Sequence, residues 1–156
     1  MSDLTISFRN ANIEDISTII QLLADDPLGS EREKFEDPIP ESYIEAFNAI
    51  SNDPNNELFV ATIGTEIVGA LQLTFIPGLS YQGGWRALIE GVRVKRKYRN
   101  QGLGKRLFLW AIDYAKERGC HLVQLTSDKR RPGAIKFYES LGFQATHEGM
   151  KLYISD

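Results

Sequence analysis

The sequence predicts one α/β domain: a mixed, mostly antiparallel sheet with one parallel central crossover, flanked by helices. Three observations carry this. Short strand-like runs with turn signals between them recur up to Val94. Runs of helical spacing interrupt them, most clearly at Leu103–Arg118. Between the strand ending near Val94 and that helix lies "VKRKYRNQGLGKRL", which holds six Lys or Arg, a Gly-x-Gly and no acid.

The elements follow in order. Thr5–Arg9 alternates and reads as a first strand. Asn12 suits a helix N-cap, with Asp15 three residues on as a capping-box variant, and Ile13, Ile16, Ile20 and Leu23 keep helical spacing. Asp26-Pro27 ends that helix, and Leu28–Pro38 reads as a polar, acidic loop. Pro40 opens a second helix with Tyr43, Ile44, Phe47 and Ile50 on one face. Leu58–Ile63 and Ile67–Ile76 form a hairpin around Gly64-Thr65-Glu66, with Gly69 marking a bulge or close approach. Pro77–Trp85 is a long glycine-bearing connection to a strand over Arg86–Val94. After the Leu103–Arg118 helix, closed by Gly119, come a strand at Leu122–Thr126 and a helix from Pro132 to Gly142. Phe143–Thr146 and Met150–Ile154 read as two final strands. The step from Arg86 to Thr126 is expected to be a parallel, right-handed crossover.

A length of 156 residues with 42% hydrophobic and 25% charged content fits a single domain spanning 1–156. No stretch approaches the roughly 20 apolar residues that span a bilayer. No signal-peptide pattern is visible at "MSDLTISFRN", so a cytoplasmic location without a membrane partner is expected. The single cysteine, Cys120, excludes an internal disulfide and gives no metal-site spacing. Charge is divided: residues 1–60 carry a net −10 and the remainder +7, for −3 in all. Such asymmetry suits two differently charged ligands or a merely solvated surface.

The basic segment makes physical sense as an anion cradle. The first N–H groups of a helix have no partner within it. Gly102 and Gly104 let backbone approach a ligand closely, the helix dipole adds about half a positive charge, and Arg99 and Lys105 add full ones. Phosphate or pyrophosphate suits such a site. A dinucleotide fingerprint fails because Leu107 stands where a third glycine belongs, and a P-loop fails because Arg106 follows Gly104-Lys105. A nucleic-acid patch is set aside, since the run is short and the protein is net acidic.

The pattern that fits is Arg99-x-x-Gly102-x-Gly104, followed about 30 residues later by "AIKFYESLGF" at Ala134–Phe143. On these two segments, and on element order over nearly the full length, the chain resembles the GNAT superfamily of N-acetyltransferases, which bind acetyl-CoA through Gln/Arg-x-x-Gly-x-Gly/Ala. The resemblance implies that Arg99, Asn100, Gln101, Gly102, Leu103, Gly104 and Lys105 hold the pyrophosphate of acetyl-CoA. It implies that the backbone of Val92, Arg93 and Val94 pairs with the pantetheine arm, beside a bulge for which Gly91 is the natural place, and that an amide near Val92 polarises the thioester carbonyl. It implies acetyl transfer directly to an amine, with no metal and no acyl-enzyme; Cys120 lacks an adjacent base in sequence. Where the family often has asparagine, this chain has Arg131, which could reach a CoA phosphate or cap the nearby helix. Asp128, Lys129 and Arg130 are expected to stay solvated.

Chemistry sets the remaining candidates. A lysine-like amine at pH 7 needs about 4.6 kcal/mol to reach its neutral form, which a base offsets. Glu90 is the candidate base: alternation places it with Leu88, Val92 and Val94 on one face of an apolar strand, where burial raises a carboxyl's pKa; the alternative is an ion pair, with Arg86 for example. His147, in the last connection, is the second candidate, or simply exposed; His121 is expected to be structural. Tyr138, by the resemblance, is the acid that protonates the leaving sulfur, with core packing as the alternative.

Asp25, Asp26, Glu31, Glu33, Glu36, Asp37, Glu41 and Glu45 lie where the family walls its acceptor site. That points to a cationic small-molecule amine, polyamine- or amino-sugar-like, with Tyr81 and Trp85 available for cation–π contact. Acetylation of a protein N-terminus or lysine, and a non-catalytic acetyl-CoA sensor, are the alternatives. The resemblance also admits a homodimer.

Overall fold

The computed structural model describes residues 4–155. The chain gathers into two compact units, one running to Gln124 and the other from Leu125 onward. In the first, the strands are β1 (Ser7–Asn10), β2 (Asn56–Ile63), β3 (Glu66–Pro77), β4 (Trp85–Val94) and β5 (Cys120–Gln124). They lie side by side in chain order. The first four pair antiparallel, and β4 pairs parallel with β5. Helices α1 (Ile16–Ala24), α2 (Pro27–Arg32) and α3 (Glu41–Ser51) connect β1 to β2, and α4 (Leu103–Glu117) connects β4 to β5.

Local sequence chemistry sets these elements. Asn12 and Asp15 form the expected capping box: the Asn12 side chain accepts from the Glu14 N–H, and the Asp15 carboxylate accepts from the Asn12 N–H at 2.8 Å. Asp15 also receives Arg9 Nη1 at 2.6 Å and Nη2 at 3.0 Å, so one carboxylate joins β1 to the start of the first helix. The segment expected to be a loop after Asp26-Pro27 instead begins with α2. Asp26 caps it by accepting from the Gly29 N–H, and Pro27 supplies a pre-set φ in its first turn. The same dipeptide therefore stops one helix and starts the next.

Residue alternation along β2 and β3 assigns the two faces. Ile19, Leu22, Val60 and Ala70 pack together on the α1 side, and Ile16, Ile20 and Phe47 extend that layer to α3. On the other side, α4 buries Leu103, Leu107, Phe108, Ala111 and Ala115. Trp110 stacks on Phe8 at 4.3 Å and meets Phe59 edge-on at 4.7 Å, pairs that each add about 0.5–1.5 kcal/mol beyond area burial.

Gly69 is the close approach its position suggested. A Cβ there would stand 3.0 Å from both the Arg93 carbonyl oxygen and Leu107 Cδ2. The connection between β3 and β4 is a tight turn in which Tyr81 (φ 55°) and Gln82 (φ 57°) are both left-handed. His121 is structural, as expected: its ring fills the space where a Cβ on Gly84 would lie, at 2.6 Å, and it contacts Tyr81.

The second unit contains one helix, α5 (Ala134–Ser140), entered through Gly133 at φ 72°. The two strands expected at Phe143–Thr146 and Met150–Ile154 do not form among the described residues. Alternation marks a segment as strand-compatible but supplies no ladder partner; Met150, Leu152, Tyr153 and Ile154 remain 81–93% exposed.

Two outcomes test this account. Gly69→Ala is expected to lower stability by about 1–3 kcal/mol in urea titration, because the methyl must displace backbone or Leu107. Arg9 holds the Asp15 carboxyl below its ordinary range. That pairing stabilises the fold above about pH 4 and is lost as pH falls through the lowered folded-state value. Asp15→Asn should flatten this part of the acid dependence, measured as urea midpoint against pH.

Candidate functional site

The end of β4 carries the decisive irregularity. Ala70 pairs with Arg93 and Gln72 with Glu90, so Gly91 and Val92 together face the single residue Leu71. This is a bulge, and Gly91 takes the positive φ of 61° within it. The bulge also corrects the expected faces. One extra residue slips the alternation by one, so Glu90 shares its face with Arg93, opposite Gln72 and Ala70, and no longer with Val94. Glu90 is exposed there, where burial had been expected. The pairing of β4 with β5 covers only Trp85–Leu88, leaving β4 from Ile89 onward without a β5 neighbour.

After Val94 the chain makes a short 3-10 turn at Arg96–Tyr98, then passes through Asn100 (φ 62°) and Gly102 (φ 82°) into α4. No side chain caps α4. Its first internal hydrogen bond runs from the Arg106 N–H to the Gly102 oxygen at 3.2 Å. The N–H groups of Leu103, Gly104 and Lys105 therefore lack acceptors within the helix. A Cβ on Gly102 would meet nothing within 4 Å, so the space before the helix is open. Lys105 is exposed. The helix entry expected to cradle an anion thus offers open space, uncapped amides and the exposed Lys105 ammonium.

Of the other bases of the segment, Lys95, Arg96, Lys97 and Arg99 contact acids of the same unit, and Arg106 donates to the Leu4 oxygen at 2.7 Å. Lys95 and Lys97 contact Glu66 at 2.8 and 3.2 Å. Lys95, with Tyr98 and Lys97, brings the Glu66 carboxyl down to about 2. Arg96 reaches Asp25 at 2.6 Å. Arg99 was expected to offer its charge to a ligand, yet its Nε donates to the Val94 oxygen and its Nη2 to the Asp25 oxygen, both at 3.0 Å. Its guanidinium braces the turn against the end of α1. Arg93 pairs with Asp26 at 3.4 Å, joining β4 to the cap of α2. These contacts were invisible in the sequence except as the opposite charge of its two halves.

A cleft of about 430 Å³ lies between α2 and α3, lined by Arg32, Lys34, Glu36, Pro40, Ser42 and Tyr43. The sequence reading passed over its cations because acids dominate that stretch.

The remaining candidates belong to the second unit. Tyr138, half-buried, meets Phe137 and Phe143 edge-on at 5.6 and 6.1 Å. His147 is exposed, with Nδ1 2.7 Å from Thr146 Oγ1. Arg131 donates its N–H to the Asp128 oxygen at 3.0 Å. Asp128, expected to stay solvated, accepts from Arg130 Nε and Nη2 at the exposed surface, and this pairing holds its carboxyl well below the usual range. Back in the first unit, burial pushes the Cys120 thiol up against a weaker opposing pull from Arg118, which suits an inert thiol.

The sequence model of the acetyltransferase (GNAT) family matches residues 18–143. The chain belongs to that family. It is a GNAT N-acetyltransferase, an acyl-CoA-dependent enzyme by that membership. An aminoalkylphosphonate N-acetyltransferase of Salmonella typhimurium is 27% identical over 89% of this chain and 85% of its own length. A glucosamine 6-phosphate N-acetyltransferase of Trypanosoma brucei brucei is 36% identical over 55% of this chain; the match spans 56% of that enzyme. Among solved structures, a transcriptional regulator from Bacillus halodurans C-125 is 55% identical. It covers 96% of this chain and 100% of that one, at a TM-score of 0.93. The fold of this acetyltransferase is therefore an experimentally observed one.

Gly102→Ala tests the cradle. The added methyl has room, so the expected loss is the left-handed backbone penalty, about 1–2 kcal/mol in urea titration. The thermal shift given by coenzyme A should shrink at the same time.

Proposed function

We propose that this acetyltransferase takes its acetyl group from acetyl-CoA and passes it directly to the amine of a small acceptor, with residues 1–156 acting as one catalytic domain. The observation that carries this reading is the uncapped, open start of α4 behind the bulged end of β4. Gly102, Leu103, Gly104 and Lys105, reached through Asn100 and Gln101, fit a pyrophosphate through backbone amides and one ammonium. Arg99 holds the turn in shape. Val92, Arg93 and Val94 offer backbone groups to an extended arm where β5 no longer pairs, and the Val92 N–H is assigned to the carbonyl oxygen of the acyl group. Arg131 is assigned to a CoA phosphate.

Bound there, acetyl-CoA supplies a thioester whose carbonyl carbon accepts the amine lone pair and whose sulfur departs. Tyr138 donates its hydroxyl proton to the departing sulfur. Glu90 takes the proton from the amine through water, as its exposure allows; His147 is the alternative base.

For the acceptor, the Salmonella and Trypanosoma relatives act on an aminoalkylphosphonate and on an amino sugar phosphate by their names. Asp25 and Asp26, counted among the acids meant to attract a polycation, pair with Arg96, Arg99 and Arg93. We therefore favour an amino-sugar-like or aminoalkyl acceptor over a polyamine. The proposal includes a cytoplasmic location, a homodimeric assembly, and no nucleic-acid, membrane or metal partner. A sensor without turnover is the second reading, favoured by the name of the Bacillus halodurans relative.

The test is thiol release from acetyl-CoA over a panel: glucosamine, glucosamine 6-phosphate, 2-aminoethylphosphonate, spermidine and peptides with free N-terminal or lysine amines. Tyr138→Phe should lower kcat about 10²-fold while keeping thermal stabilisation by acetyl-CoA. Stabilisation with no turnover on any amine supports the sensor. Turnover confined to peptides supports protein acetylation, and unchanged kcat in Tyr138→Phe removes the acid.

A further inference from the structure

The cleft between α2 and α3 differs in charge from its surroundings. One acid, Glu36, and two bases, Arg32 and Lys34, line it. The Lys34 ammonium has no ion-pair partner among the described residues, and the one partner of Arg32 is Glu33, reached through Nε at 3.7 Å. The guanidinium's two terminal nitrogens are thus available for a bidentate contact.

The cleft is also built. The Tyr43 hydroxyl accepts from the Lys34 N–H at 2.9 Å and donates to Glu33 Oε1 at 2.9 Å. Those two bonds fasten the Lys34 backbone and the Glu33 side chain to α3. Ser42 adds a neutral hydroxyl to the lining.

Helix α2 links the cleft to β4. Asp26, tied to Arg93 beside the bulge, caps α2, and Arg32 ends that helix. Six helical residues rise about 9 Å. Leu23, at the end of α1, comes within 3.7 Å of where a Cβ on Gly91 would be, so the helix that precedes α2 borders the bulge.

We propose that this cleft binds an anionic group on the acceptor, a phosphate or phosphonate set several bonds from the reacting amine, with Arg32 and Lys34 as its ligands and Ser42 as a neutral donor. This rests on the acetyl-transfer reading and adds to it the charge of the substrate's far end. Glu36 opposes the anion and lowers its affinity.

Steady-state kinetics on phosphorylated and unphosphorylated members of the same panel, at fixed ionic strength, test the assignment. Arg32→Gln and Lys34→Met should each raise KM for the phosphorylated amine about 10-fold. They should leave its kcat, and both constants for the unphosphorylated amine, within about 2-fold. Glu36→Gln should lower KM for the phosphorylated amine. Calorimetric titration with glucosamine 6-phosphate and with inorganic phosphate reads the cleft without turnover, and both should weaken in Arg32→Gln. If no amine is acetylated but this titration behaves as stated, the transfer reading fails and the anion site stands. Equal KM changes for both amines, or phosphate binding unaltered by either variant, overturn the anion site and leave transfer untouched.

Discussion

Asp25 receives two arginines from the far side of the chain, and much of the first unit's functional geometry hangs on that contact. Its carboxylate takes Arg96, while its carbonyl and carboxylate together take Arg99. The Arg99 Nε bond to Val94 completes a bridge from the end of α1 to the end of β4. The turn between β4 and α4 carries a dense positive charge and two left-handed residues, a combination that would splay apart unsupported. Pinned by Asp25 on one side and Glu66 on the other, it delivers Gly102 and the amides after it at a fixed place. Removing either arginine from this arrangement leaves a half-buried carboxylate short of a partner, which is why such pairs are felt when broken even where their net contribution to stability is small.

The sheet contributes the second constraint. Gly69 brings β3 against Leu107, seating α4 directly on the backbone of the strand next to β4. The bulge at Gly91 then turns the end of β4 away from a regular ladder while the α4 entry stays fixed. A strand end without a β5 neighbour and a helix start whose first amides lack acceptors within the helix are thereby held in one unit. Each would be a liability alone, since unmet backbone groups are costly when buried. On the proposed reading, the extended amide-bearing arm and the phosphates of one ligand would meet both.

Much of this was legible in the sequence. The capping box at Asn12, the hairpin at Gly64, the close approach at Gly69 and the basic helix entry all follow from residue types whose local physics is strong, whereas the bulge at Gly91 was expected from the family resemblance. The slip in facing after Gly91 was not carried through, because periodicity has no memory of an inserted residue. Helix α2 was missed because Asp26-Pro27 serves equally as a stop and as a cap. The opposite charges of the two halves suited either two differently charged ligands or a solvated surface, whereas several of those charges answer each other across the fold: Asp25, Asp26 and Glu57 take Arg96, Arg93 and Arg118. Long-range pairing has no signature in a single sequence. The final strands failed for the same reason, since alternation at Met150–Ile154 says nothing about a neighbour.

The turn joining β3 to β4 has a bearing on engineering. Tyr81 and Gln82 adopt in succession a conformation that L-residues with side chains avoid, and Tyr81 reaches His121 from it. Gln82 has no such ring contact among the described residues. Glycine occupies that conformation freely, so position 82 is a place where a thermostabilised version of this enzyme could be sought without altering a residue at the ends of β4 and α4.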